Sequence, residues 1–191
     1  MIKTLYPSFQ RWSDGGRIII ISDTHFGDAD CKYMDKDWPC PIKHINRIKK
    51  SINKNDTLIH LGDVGDPRFI KRIPAKHKVL ILGNHDLGAS RYNEYFDEIF
   101  TGPLFIAEKI LLSHEPIDLP FALNIHGHDH NKSNIGDYNH LNLAANVVDY
   151  YAVSLGEVIK NGRLAGIDSI HRITINQAIV DKKNNAVYNN E

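Results

Sequence analysis

Short runs of consecutive hydrophobic residues alternate with polar stretches through the first half of the chain. The runs are rich in β-branched residues and bounded by turn residues, as in strands buried on both faces; they cover 17–22, 57–61 and 78–82. Between the first two, the isoleucines of 42–52 recur at helical spacing and predict an amphipathic helix. Pro67 suits the first turn of a short second helix over 67–73, and the spacing of 91–100 predicts a third. The first half therefore predicts a βαβαβ unit.

The second half has a different pattern, with apolar runs that follow one another closely. We expect strands over 104–108, 109–113, 122–126 and 141–148, a short helix over 154–160, and a final strand or pair over 171–180. The polar end, 181–191, is expected to be frayed. No repeat, linker or shift in composition divides the chain, so we predict one domain over 1–191. Two sheets flanked by helices predict a layered α/β sandwich.

Composition narrows the class of protein. The chain has 191 residues, 42% hydrophobic and 24% charged, which is long and apolar enough to bury a core without disulfides. The 23 basic residues balance the 23 acidic residues, which argues against a large basic face for nucleic acid. The chain begins without an apolar block and has two cysteines, so we expect a reduced, cytoplasmic protein with no membrane span. No sequence signal indicates an oligomeric state.

The 11 histidines change this ordinary picture, because many of them follow predicted strands. Five strand ends carry the blocks DTH at 23–25, GD at 62–63, GNHD at 83–86, a lone His114, and GHDH at 127–130. In an open α/β sheet, ligands bind at the carboxyl ends of the strands. The oxygen and imidazole donors that these blocks bring to one edge are Asp23, His25, Asp63, Asn84, His114, His128 and His130.

Seven donors are more than one ion needs. One carboxylate shared by two ions gives each ion four ligands, as in two-metal sites with the ions about 3.5–4 Å apart. The set has no cysteine, and mixed carboxylate and imidazole donors suit manganese, iron, zinc, cobalt or nickel. Either DTH or GD alone would usually be a turn, but five blocks at one edge predict a metal centre.

At these blocks the chain resembles the calcineurin-like metallophosphoesterases, whose motifs occur in the same order. Within that family it looks most similar to small stand-alone phosphoesterases, on the strength of SDTHFG at 22–27 and NVVDYYAVSLGE at 146–157. The resemblance implies an αββα sandwich of two mixed sheets and two divalent cations, with manganese first and iron, nickel, zinc or cobalt as alternatives. It assigns Asp23, His25, Asp63 and His130 to the first cation, and Asp63, Asn84, His114 and His128 to the second.

The resemblance also implies a mechanism. A hydroxide bridging the two cations attacks a phosphomonoester or phosphodiester, and His85 protonates the leaving oxygen. In related phosphatases a carboxylate orients that histidine, which suggests Asp66, with Asp86 as a second candidate. The arginine that grips phosphate in relatives corresponds only weakly to Arg68, because Pro67 intervenes.

Two other functions compete with a small-substrate hydrolase. Some members of the family are non-catalytic scaffolds that have lost the histidine of GNH, whereas this chain keeps His85 and every ligand. Larger relatives are nucleases, and the neutral charge argues against that function here.

Several residues near the motifs have open roles. Segment 28–41 is expected to overhang the site, where Tyr33 or Trp38 could stack on a leaving group. Asp28 stands where the small enzymes often have histidine, a departure that bears on substrate contact. His126 is as compatible with strand packing as with a place beside the metals. His44, His77 and His171 lie in polar segments and are expected to be solvated.

Overall fold

The computed structural model describes residues 6–188 of the chain. Its α-helices are α1 Pro7–Trp12, α2 Cys31–Met34, α3 Pro41–Ser51, α4 Leu155–Lys160 and α5 Ile170–Tyr188. Its strands are β1 Ile18–Ile21, β2 Thr57–His60, β3 His77–Ile81, β4 Glu98–Phe100, β5 Leu104–Ala107, β6 Ile110–Leu112, β7 Leu123–His126, β8 His140–Asn142 and β9 Val153–Ser154. Two short 3-10 helices occupy Pro67–Arg72 and Ala89–Arg91.

The first sheet has the order β4-β3-β2-β1-β9, parallel throughout except for the antiparallel pair of β1 and β9. In its central strands, Ile21 pairs with His60 and His60 pairs with Leu80. Because these strands run in the same direction and end at the same level, the loops that follow them emerge at one edge of the sheet.

The second sheet has the order β5-β6-β7-β8, with β5 antiparallel to β6 and the other pairs parallel. A parallel bridge between Ser22 and Ala144, and a 3.1 Å hydrogen bond from Ser22 N to Leu143 O, join the two sheets just beyond β1. This contact brings the carboxyl ends of β6 and β7 to the same edge as those of the first sheet.

The first sheet is buried on both faces, which explains why its strands lack alternation. Ile18 and Ile20 of β1 pack in the core between the two sheets. Ile19 and Ile21 pack on the other face, in the core that includes Ile45 and other residues of α3. The layered α/β architecture of two mixed sheets with flanking helices is therefore confirmed.

The predicted helix over 91–100 is wrong. The chain instead turns after the 3-10 helix Ala89–Arg91, with Phe96 N bonded to Tyr92 O, and then forms β4 beside β3. A single turn buries Tyr92 and Phe96, so their spacing required no longer helix.

The predicted strand over 171–180 is also wrong, because α5 covers it. A helix satisfies its own backbone hydrogen bonds, whereas a strand needs a free sheet edge. The helix continues to Tyr188 and residues 189–191 lie outside the described part, so the fraying of 181–191 stays a prediction. The predicted strand over 141–148 is shorter than expected, because the backbone turns at Ala144 after β8.

The hydrophobic pattern predicted none of the short elements α1, α2 and β9, nor the 3-10 helix Ala89–Arg91. In residues 6–188, no helix combines the length and apolar character that crossing a membrane requires.

Candidate metal centre

The loops that follow five strands meet at the shared edge of the two sheets, and they bring the predicted donors together. Ligand atoms of Asp23, His25 and His130 all lie within 4.8 Å of one another, and so do those of Asp23, Asp63 and His114. The two groups share Asp23, so they form one continuous cluster rather than two separate sites.

Asp63 belongs to the second group and also faces His25 of the first. Its Oδ2 is 3.7 Å from His25 Nε2 and 3.5 Å from His114 Nε2, while its Oδ1 accepts a 2.9 Å hydrogen bond from His85 N. Asp23 is arranged similarly: Oδ2 accepts from a backbone N–H and Oδ1 faces His130 Nε2 at 3.6 Å. Each carboxylate is thus held by the backbone through one oxygen and presents the other to histidines.

Asn84 and His128 complete the second group. Asn84 Oδ1 lies 2.8 Å from His114 Nε2 and 3.2 Å from His128 Nδ1, and the two ring nitrogens are 3.2 Å apart. Asn84 and His128 are exposed, whereas His114 is buried. The structure therefore assembles all seven predicted donors at one site.

Two atoms of the cluster indicate that it fits a cation. Asp23 Oδ1 and His25 Nε2 are buried and have no hydrogen-bond partner among the described residues. A buried polar atom left without a partner costs about 1–3 kcal/mol, and two adjacent buried carboxylates, Asp23 and Asp63, repel each other. A divalent cation would remove both penalties, and donors of this kind suit manganese, iron, cobalt, nickel or zinc.

Burial lowers the pKa of His25, although Asp23 and Asp63 oppose the shift. The ring is therefore neutral near pH 7, which leaves one nitrogen with a free lone pair. A neutral imidazole is the form that binds metals.

Backbone strain is concentrated at the predicted ligands. Six non-glycine residues of the described chain have positive φ, and four of them are predicted ligands: Asp23 at 55°, His25 at 39°, Asp63 at 56° and His128 at 67°. Such conformations cost of order 1 kcal/mol or more and persist where the surroundings enforce them. With these backbone conformations, the four side chains face the common centre.

Two glycines of the motifs let the backbone approach the carboxylates closely. A Cβ on Gly83 would lie 2.2 Å from Asp63 Oδ1, and one on Gly127 would lie 2.1 Å from Asp23 Oδ2. The glycines of GNHD and GHDH are therefore required by the ligands themselves.

Hydrogen bonds on the outer side of the rings set the orientation of two histidines. His114 Nδ1 lies 2.9 Å from Leu61 O, so this nitrogen carries the proton and Nε2 has its lone pair free. His130 Nδ1 lies 2.9 Å from Asn146 Oδ1, and Asn146 Nδ2 donates to His130 O at 2.6 Å. Asn146 was not among the predicted site residues, and its only signal in the sequence is its place as the first residue of the 146–157 motif.

The predicted proton donor, His85, is exposed at the mouth of the site, with its ring centre 5.7 Å from that of His25. In the described residues neither Asp66 nor Asp86 is hydrogen-bonded to its ring. Asp66 pairs with Arg68 at 2.6 Å. The Asp86 carboxylate instead accepts hydrogen bonds from Asp63 N, Val64 N, Gly83 N and Tyr92 Oη. An orienting role for either carboxylate stays a prediction.

A cavity of about 620 Å³ opens over the cluster and is lined by His25, Asp63, His85, His128 and His130. Segment 28–41 forms its other wall, as predicted, through Asp28, Asp30, Tyr33 and Met34. Tyr33 is 90% exposed there.

Trp38 is not among the residues that line this cavity, so the structure does not support stacking of its ring on a leaving group. It is 4% exposed and packs behind the ligands, with ring centres 6.0 Å from His25 and 5.8 Å from His130.

Other histidines lie outside the cavity. His44 was expected to be solvated, but its ring is fully buried between Phe26 and Tyr150. His60 is also buried, with its ring nitrogens bonded to Thr24 Oγ1 and Gly62 N. His126 is buried with Nδ1 beside Gly127 O, which favours the packing role.

Comparison with known proteins gives three findings. The family described as Calcineurin-like phosphoesterase matches residues 16–190. A search of the curated proteins gave no significant match. Among solved structures, the protein of unknown function AQ665 from Aquifex aeolicus is 28% identical, covering 76% of this chain and 98% of that one with a TM-score of 0.61. The nuclease MPE of Pseudomonas putida is 23% identical, covering 59% of this chain and 60% of that one with a TM-score of 0.43.

Proposed function

This chain belongs to the calcineurin-like phosphoesterase family, and from that premise we propose that it hydrolyses small phosphomonoesters or phosphodiesters with two divalent cations. At the level of the family, the activity is metal-dependent hydrolysis of phosphoesters. Manganese is the first candidate for the cations, with iron, nickel, zinc and cobalt as alternatives.

In this proposal Asp63 serves both cations. The first is held by Asp23, His25, Asp63 and His130, and the second by Asp63, Asn84, His114 and His128. One observation carries the proposal: Asp63 Oδ2 lies between His25 Nε2 and His114 Nε2, at 3.7 and 3.5 Å, next to the unpartnered Asp23 Oδ1.

The chemistry divides between the cations and the chain. Bound divalent cations supply Lewis-acid chemistry, because they lower the pKa of a coordinated water and offset charge on the phosphoryl oxygens. The chain holds the ligand rings in fixed orientations through Leu61 O and Asn146, and its cavity admits the ester from the side of His85. His85 gives a proton to the leaving oxygen, a role that contributes about 10²–10⁴-fold for poor leaving groups.

A panel of phosphoesters, run alongside elemental analysis, tests this function. The protein is stripped with a chelator, reloaded with each candidate metal, and assayed on para-nitrophenyl phosphate and bis-para-nitrophenyl phosphate. We expect two bound ions per chain and turnover that depends on them. Absence of turnover with every divalent ion would favour the non-catalytic scaffold.

Two substitutions separate cation binding from proton transfer. We expect Asp63→Ala to abolish metal loading, because the shared oxygen is lost. We expect His85→Ala and His85→Asn to keep both ions and to slow hydrolysis of alkyl esters by about 10²–10⁴-fold, with less effect on nitrophenyl esters. An alkyl ester hydrolysed by the His85 variants at the wild-type rate would remove the proton-donor role.

A further inference from the structure

Asp28 lies beside the ring of His25, and the proposed function gives it no role. His114 and His130 each have an oxygen 2.9 Å from Nδ1, on the side of the ring away from the cluster. His25 also presents Nε2 to the cluster, and the group beside its Nδ1 is Asp28 Oδ2, at 3.7 Å. We propose that Asp28 is a positioning residue, whose carboxylate orients His25 for the first cation. This inference rests on the proposed function.

The backbone returns Asp28 to His25 by a tight turn. Asp28 N donates to His25 O at 3.0 Å, and Gly27, the third residue of this turn, has φ of 82°. Glycine suits that position because other residues are strained there. The turn therefore places the Asp28 side chain next to the ring of His25, three residues earlier in the chain.

The carboxylate of Asp28 is itself held in place. Its Oδ1 accepts a 2.8 Å hydrogen bond from Asp30 N, which leaves Oδ2 directed at His25. Among the described residues, no other carboxylate lies within 4.0 Å of His25 Nδ1, and no hydrogen bond is made to that nitrogen. Asp28 is therefore the group that can select the position of the ring proton.

Two features of His25 make a group that orients its ring important. Its backbone is strained, with φ of 39°, and Nε2 is buried without a partner. At 3.7 Å the carboxylate acts through charge rather than through a direct hydrogen bond, and it favours the tautomer with the proton on Nδ1. That tautomer leaves the lone pair of Nε2 facing Asp63. Outer groups of this kind typically change metal affinity by 10–100-fold.

A third cation is the competing explanation for this cluster. Donor atoms of His25, Asp28 and Cys31 lie within 4.8 Å of one another. A cation there, together with one at Nε2, would require His25 to lose its ring proton and bind through both nitrogens. The positioning role needs no such ionisation, and the number of ions bound distinguishes the two explanations.

The test uses Asp28→Ala and the isosteric Asp28→Asn, with Asp30→Asn as the matched control. Asp30 lines the same cavity, so its substitution removes an equal charge without changing the group beside His25. Calorimetric titration of the chelator-stripped proteins with Mn²⁺ measures affinity and stoichiometry. Nitrogen NMR of the chelator-stripped proteins reports which nitrogen of His25 carries the proton.

We expect one of the two manganese sites to weaken by about 10–100-fold in Asp28→Ala and by less in Asp28→Asn, with Asp30→Asn within about twofold of wild type. We also expect His25 of the wild type to be protonated at Nδ1. The inference is overturned if Asp28→Ala matches Asp30→Asn, or if wild type binds three ions and Asp28→Ala two. If the wild type binds two ions and the Asp28 variants bind them with unchanged affinity, this inference alone is overturned. If the wild type binds no ions, the proposed function is overturned as well.

Discussion

Asp86 shows how one side chain can build a site without facing it. Its carboxylate joins the loop after β2 to the loop after β3, since it accepts from Asp63 N, Val64 N and Gly83 N. The same three atoms belong to the backbone that carries the ligands Asp63 and Asn84. The observed contacts of Asp86 therefore hold the two loops in place, and none of them is made to the ring of His85.

Replacing Asp86 should first affect stability. Asp86→Ala leaves the N–H groups of Asp63 and Val64 buried without acceptors, at about 1–3 kcal/mol each, so we expect a loss of about 2–6 kcal/mol in the free energy of unfolding. Tyr92→Phe removes one of the four bonds and should cost about 1 kcal/mol. Urea unfolding of the chelator-stripped proteins measures both. An Asp86→Ala protein of wild-type stability that loses only turnover would support the orienting role instead.

At the scale of elements, the parallel strands matter because they end together. β1, β2 and β3 deliver Asp23, Asp63 and Asn84 to one edge, and the bridge from Ser22 to Ala144 adds the loops of the second sheet. The site therefore depends on where the strands end, and an exposed element that lies away from that edge contributes little to it.

Helix α5 is such an element. Within residues 170–183, several of its apolar side chains are largely in solvent: Ile170 is 57% exposed, Ile179 49% and Val180 48%. We expect a chain ended after Ser169 to load metal like the full chain and to shift Tm by less than about 2 °C, because exposed residues contribute little to stability.

Thermal unfolding and metal titration of the shortened chain check this prediction. A chain ended after Ser154 is the contrasting control, since it also removes Leu155 and Val158 of α4, which are buried in the core between the sheets. We expect that chain not to fold. Loss of folding or of metal binding in the chain ended after Ser169 would contradict the prediction.

At the scale of the whole molecule, buried histidines make stability depend on pH. Burial lowers the pKa of His44 to about 3, with His60 and Arg47 acting in the same direction. The unfolded chain binds a proton at this residue below about pH 6.5, whereas the folded chain stays unprotonated until about pH 3. Stability from His44 is therefore complete above pH 6.5 and falls as the pH drops toward 3.

We expect His44→Leu to reduce the loss of stability between pH 7.5 and pH 5.0 by about 2 kcal/mol, because 1.5 pH units below the unfolded pKa correspond to that free energy. Leucine also removes two ring nitrogens that are buried without partners. Urea unfolding at the two pH values measures the difference. His171→Leu, at an exposed position of α5, is the control and should leave it unchanged. If the stability of His44→Leu depends on pH as strongly as that of the wild type, the buried neutral His44 is not a source of the pH dependence.

Local sequence patterns were sufficient to predict the three central strands of the first sheet, β1, β2 and β3, and the donors that follow them. A run such as Ile18–Ile21 forms a buried strand from local composition, and the motif blocks stand directly after such runs. Parallel strands then bring their ends to one edge, so the predicted ligands could be named before any contact was known. Where a hydrophobic pattern was short, as at 91–100, it did not distinguish a helix from the single turn that buries Tyr92 and Phe96.

The groups that surround the ligands follow from the three-dimensional packing and not from local sequence. Asn146 reaches His130 across 16 positions, His44 is enclosed by Phe26 and Tyr150, and Asp86 faces the backbone of another loop. These contacts join residues that are distant along the chain, so no local spacing encodes them. Hydrophobic periodicity specifies which side of an element is buried, but a hydrogen-bond partner is set by where two elements meet in space.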